Sequence, residues 1–133
     1  MTISTSDLPS SPSGDLALQT LAMPSDTNPH GDVFGGWLMS QMDIAGTIHA
    51  NGTIKGRVTT VAVSGMRFIR PVPVGAIVSC YCKTEHIGNT SISVQVEVWI
   101  KEYLTHEQFL VTQGTYIYVA LDDNGQKRSI NYN

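Results

Sequence analysis

An ionisable side chain on an otherwise apolar helical stretch is the first feature of this sequence that points to chemistry. Asp43 stands among Trp37, Leu38, Met39, Met42, Ala45 and Ile48, surroundings in which a carboxylate is costly unless it has partners or a task. Upstream, Asn28-Pro29-His30-Gly31-Asp32 forms a polar run that leads through Val33-Phe34 into the double glycine Gly35-Gly36. Neither glycine has a Cβ, so a ligand can approach their backbone closely. The first amides of a helix that begins there have no internal acceptor. A helix start of this kind attracts oxyanions. Asp43 follows Gly36 by about two helical turns on the same face. An oxyanion site and a carboxylate are the chemistry these residue types offer.

The elements that must position them follow from periodicity. Residues 16–23 alternate loosely and predict a first strand, which Pro24 ends. The spacing of Leu38, Met42, Ala45 and Ile48 or His49 predicts a helix over 35–50, stopped by Asn51-Gly52. From there the period is two. Residues 58–69, 76–86, 90–103 and 108–121 are rich in Val, Ile, Thr and Tyr and predict four long strands. Their connections are too short for parallel crossovers, so antiparallel hairpins are expected, with the helix against one face: an α+β fold. Gly65 and Gly114 lie inside strand patterns and suggest bulges or bends.

The 133 residues fit one domain, expected over 14–133 behind a flexible Ser/Pro/Thr-rich tail at 1–13. A formal charge of −3, with basic residues scattered along the chain, argues against a nucleic-acid partner. No leader peptide or membrane span is expected, and no membrane partner. Cys80 and Cys82 lie on one face of a strand, poorly placed to bridge each other and too few for a zinc site. They read as buried free thiols in a reducing cytoplasm, with no metal.

Taken together, Asn28-Pro29-His30-Gly31-Asp32-Val33-Phe34-Gly35-Gly36-Trp37 with Met42-Asp43, then Gly56-Arg57-Val58-Thr59-Thr60, Met66-Arg67-Phe68-Ile69-Arg70-Pro71 and Gly88-Asn89-Thr90-Ser91-Ile92 resemble the YciA-type acyl-CoA thioesterases of the hotdog-fold superfamily. The resemblance runs from about Leu16 to Ile130. It implies a long central helix wrapped by an antiparallel sheet, homodimers made by joining two sheets, and trimers of those dimers. It also implies an acyl-CoA substrate and no cofactor beyond the coenzyme A carried by substrate and product.

In residue terms, the resemblance implies that the Gly36 amide or a close neighbour polarises the thioester carbonyl, with Gly35 beside it. Asp43 acts on water as general base, or attacks as a nucleophile through an anhydride. Asn28 orients water or carbonyl from the other protomer, and Thr60 is a supporting or substrate contact. Arg57 and the turn Gly88, Asn89, Thr90 and Ser91 are candidates for the coenzyme A phosphates; Arg67, Arg70 and Lys83 are weaker ones. Blander roles compete: an Asx-turn for Asn28, a tight loop-to-helix turn for Gly35-Gly36, packing or solvent contact for His30 and His49. Two rival functions are a hotdog acyl-thioester dehydratase or hydratase, whose loop His and helical acid His30 and Asp43 imitate, and a non-catalytic acyl-CoA-binding module. Against the first, Gly31-Asp32 follows His30 where the carrier-protein dehydratases have Phe-Pro-Gly.

Overall fold

The computed structural model describes residues 8–130. Residues 1–7 of the expected tail lie outside them. Along the chain run β1 (Asp15–Leu21), a short 3-10 turn (Pro24–Asp26), α1 (Gly35–Ile54), β2 (Val58–Phe68), β3 (Ile77–Ile87), β4 (Ser91–Lys101) and β5 (Gln108–Ala120). The five strands form one sheet in the order β1-β3-β4-β5-β2, antiparallel at every step.

The α+β layering follows from the two periods. Ile92, Val94, Val96, Val98 and Ile100 alternate along β4 and are buried together with Leu38, Met42, Ala45 and Ala50 of α1. One helix face and one sheet face thus close a single core. Cys80 and Cys82 join it as free thiols. Burial raises both from 9.0 to about 12, because a thiolate there would lose its hydration.

Three expectations need correction. The chain between β2 and β3 is not a hairpin: β2 pairs with β5 at the far edge, and residues 69–76 cross the end of the sheet. That crossing is held by the loop that precedes α1. The Val33 amide donates to the Val72 carbonyl at 2.8 Å, and Val74 donates to Gly31 at 3.1 Å, while Val72 is buried in the core. Second, α1 runs through Asn51-Gly52 to Ile54. Burial of Ile54 favours the extra turn, and the helix stops where Lys55 turns left-handed (φ 56°), with the Asn51 side chain donating to the Gly56 carbonyl at 2.8 Å. Ile48 points outward, half exposed. Third, only Gly65 makes a bulge. It has φ 62° between Ser64 and Arg67, where the β2/β5 register shifts, whereas Gly114 stays in register with Val96 and makes room for Met66.

The sheet's two edges differ. β1 is partly shielded, and just ahead of it Ser13 donates through its amide and hydroxyl to the two carboxylate oxygens of buried Glu97, at 3.1 and 3.0 Å. β2 is exposed along nearly its whole length, Val61 and Phe68 by about half. A long bare edge is a surface that natural sheets normally cover or pair.

Candidate active site

The loop ahead of α1 is built by Asn28. Its side-chain oxygen accepts from the His30 amide at 2.9 Å and the Asp32 amide at 3.2 Å, while its backbone amide donates to the Asp32 carbonyl at 2.7 Å. Gly31, at φ 84°, completes the turn. The Asx-turn role of Asn28 is therefore present, and it leaves the side-chain amide with no acceptor among the described residues. His30 is exposed on the same turn.

α1 starts without a side-chain cap. Phe34 is extended (φ −65°, ψ 140°), and the amides of Trp37 and Leu38 both donate to its carbonyl, at 3.1 and 3.3 Å. The Gly35 and Gly36 amides have no acceptor among the described residues. A Cβ on Gly35 would press on the Phe68 ring at 3.2 Å, but one on Gly36 would meet nothing within 4 Å. The space above Gly36 is thus open. Beside it a cavity of about 370 Å³ is lined by Val33, Gly35, Leu38, Phe68, Ile69, Arg70, Pro71 and Val72. Half-buried Arg70 also lies over the Phe109 ring, 4.5 Å from its centre.

Asp43 faces the sheet between two strands. Thr60 of β2 and Tyr118 of β5 are direct cross-strand partners, and both hydroxyls reach the same oxygen, Oδ1, at 2.7 and 3.1 Å. Tyr118 also reaches the Asp43 carbonyl at 3.1 Å. Oδ2 has no hydrogen bond among the described residues, and Asp43 no ion pair among them. One oxygen is held and the other is available.

Tyr118 escaped the sequence reading. The only signal was its period-two pairing with Tyr116, whose hydroxyl donates to the Met39 carbonyl at 2.9 Å, one turn before Asp43. The two rings lie 6.5 Å apart and both are buried. Burial, chiefly, raises both phenols, Tyr116 to about 12 and Tyr118 further, so both are hydrogen-bond donors at neutral pH. Gly46 makes room for Tyr118: a Cβ there would collide with its hydroxyl. His49 takes no part. Its Nε2 pairs with Thr84 Oγ1 at 2.8 Å, and burial lowers its pKa, against the opposing charge of Asp15.

The remaining candidates gather at the other end of the sheet. Leu121 donates its amide to the Arg57 carbonyl at 2.9 Å and Ala120 to the Thr90 carbonyl at 2.9 Å, which brings exposed Arg57 beside the Gly88, Asn89, Thr90 and Ser91 turn. Gly88 closes that turn onto the Ser91 carbonyl at 2.8 Å. Arg128, also missed from sequence, lies over Gly56 and donates to the Leu121 carbonyl at 3.1 Å. Within one protomer there are thus three separate groups: Asn28 with Gly35 and Gly36, Asp43 with Thr60, and Arg57 with the turn. Gly36 and Asp43 are separated by about 10 Å along the helix axis, at 1.5 Å per residue.

Comparison with known proteins bears on this arrangement. The pattern of the Thioesterase superfamily matches residues 30–105. The acyl-CoA thioester hydrolase YciA of Salmonella typhimurium is 51% identical over 122 residues, covering 90% of this chain and 92% of that protein. The hexameric thioesterase y2039 of Yersinia pestis superposes with a TM-score of 0.86 at 48% identity, over 92% of this chain and 99% of that one. A variant of a hexameric broad-specificity acyl-coenzyme A thioesterase gives the same TM-score and identity over 90% and 88%.

Proposed function

This chain belongs to the thioesterase superfamily, among its acyl-CoA thioester hydrolases, and from that premise we propose that Asp43 and the start of α1 carry the hydrolysis. The enzyme splits acyl-CoA into free acid and coenzyme A. Asp43 Oδ2 takes a proton from water, whose oxygen attacks the thioester carbonyl carbon. The oxyanion that forms is held by the Gly36 amide, with Gly35 beside it, and by the positive end of α1. When the carbon–sulfur bond breaks, the proton held on Asp43 goes to the departing thiolate. The observation that carries this reading is the division of labour on Asp43, with Oδ1 held by Thr60 and Tyr118 and Oδ2 free.

A base and an oxyanion donor must both lie within about 3 Å of the reacting atoms. Two residues separated by about 10 Å along one helix cannot do that for one carbonyl, so the site is completed across a homodimer. Asn28, Gly35 and Gly36 of one protomer meet Asp43 and Thr60 of its partner. The bare edge of β2, the strand that carries Thr60, supports joining the two sheets there. Trimers of such dimers would cover the exposed Ile44 and Ile48 on α1, in keeping with the hexamers formed by the related thioesterases.

The cavity beside Gly35 suits the acyl chain. Arg57 with Gly88, Asn89, Thr90 and Ser91 suits the coenzyme A phosphates. Hydrolysis of this kind uses water and needs no separate cofactor. Free Cys80 and Cys82 fit a cytoplasmic location, and among the described residues no helix is long and apolar enough to cross a membrane. Free-thiol release over a panel of acyl-CoA chain lengths tests the reading. Asp43→Asn should lower kcat by about two to four orders of magnitude with KM little changed; undiminished turnover would remove Asp43 from the reaction.

A further inference from the structure

We infer that Tyr118 is a positioning residue for the hydrolysis, holding Asp43 through Oδ1 so that Oδ2 alone faces the substrate side. The inference rests on the reading of Asp43 as the base. Tyr118 is fully buried, and its hydroxyl proton is shared between Asp43 Oδ1 and the Asp43 carbonyl, each at 3.1 Å. The ring has little freedom, because it is stacked near Tyr116 and leaves no space for a Cβ on Gly46. Thr60 holds the same carboxylate oxygen from β2 at 2.7 Å.

A carboxylate oxygen that accepts two hydroxyls is fixed in rotation, which keeps the second oxygen aimed. Tyr118 and Tyr116 face Asp43 from β5, with the Cys82 and Cys80 thiols of β3 behind them. β2 contributes the Thr60 hydroxyl, and His49 on α1 is turned to Thr84.

Tyr118→Phe tests this against Tyr116→Phe. Both changes delete one buried hydroxyl that bonds an α1 carbonyl, but only the first touches the carboxylate. The expected result for Tyr118→Phe is a fall in kcat at neutral pH of about tenfold or more, on the scale of one hydrogen bond to a charged group, with KM little changed. Tyr116→Phe should lose comparable thermal stability while keeping its kcat. In an Asp43→Asn background, Tyr118→Phe should cost nothing further in kcat. If Tyr118→Phe does not fold, Gly46→Ala, whose added methyl displaces the Tyr118 hydroxyl, should lower kcat with KM little changed. Undiminished kcat in the folded variant, with Asp43→Asn inactive, would overturn the role of Tyr118 alone. An active Asp43→Asn would instead overturn the reading beneath it.

Discussion

Gly46→Ala and Gly52→Ala are the same substitution on the same helix, and the structure gives them opposite signs. In an exposed helical position the added methyl removes backbone freedom from the unfolded chain and stabilises by up to about 1 kcal/mol. Gly52 meets that case: it is exposed, and a Cβ there would find nothing within 4 Å. Gly46 is buried, and its Cβ would collide with the Tyr118 hydroxyl and lie 3.0–3.1 Å from two ring carbons. Tyr118 cannot swing aside without losing its bonds to Asp43. Overpacking of a well-filled core costs about 1–3 kcal/mol, and a displaced hydrogen bond to a carboxylate about 1.5–3 kcal/mol more. Against a helix-propensity gain of about 1 kcal/mol, Gly46→Ala should be net destabilising by about 1.5–5 kcal/mol. Urea unfolding of the three proteins at one concentration reads the sign directly, and kcat of the folded Gly46→Ala variant should fall with it. Equal stabilisation by both substitutions, with activity kept, would refute the claim that Gly46 exists to seat Tyr118.

Asn28→Ala and Asp43→Asn, each inactive alone, should regain part of the activity when unfolded and refolded together, since some heterodimers then hold one intact site; verified subunit exchange without recovery would put both residues in one protomer's site. A single turnover in ¹⁸O-water should place the label in the released acid, whereas label on Asp43 would indicate attack by the carboxylate itself. At one acyl length and fixed salt, acyl-CoA should exceed the N-acetylcysteamine thioester in kcat/KM by about tenfold or more, or roughly 1.4 kcal/mol, if remote contacts to the nucleotide help to orient the thioester; equal values would mean the nucleotide is not read. Stability should decline as pH rises from about 9 towards 12, because burial raises the folded thiols of Cys80 and Cys82 from 9.0 to about 12 while the unfolded chain ionises first. Urea midpoints at pH 8 and 11 measure this, and Cys80→Ala should flatten the slope.

Local pattern alone determined that one helix follows the double glycine, that four long strands follow the helix, and that Leu38, Met42 and Ala45 face the core. It also singled out Asp43, because a carboxylate in an apolar helical period is conspicuous without any knowledge of its neighbours. Strand order was a different matter. A period of two says which residues share a face but not which edge each strand joins, and only the packed sheet sent β2 past β4 and β5 to the far side. The helix ran beyond Asn51-Gly52 because burying Ile54 outweighed the local stop signal. Tyr118 was illegible for the same reason. It meets Asp43 across 75 residues of chain, through a cross-strand register with Thr60 that exists only once β2 has found β5. The sequence therefore specified which carboxylate stands out, and the tertiary structure decided which of its two oxygens is left without a hydrogen bond, since that depends on hydroxyls brought in from strands remote in the chain.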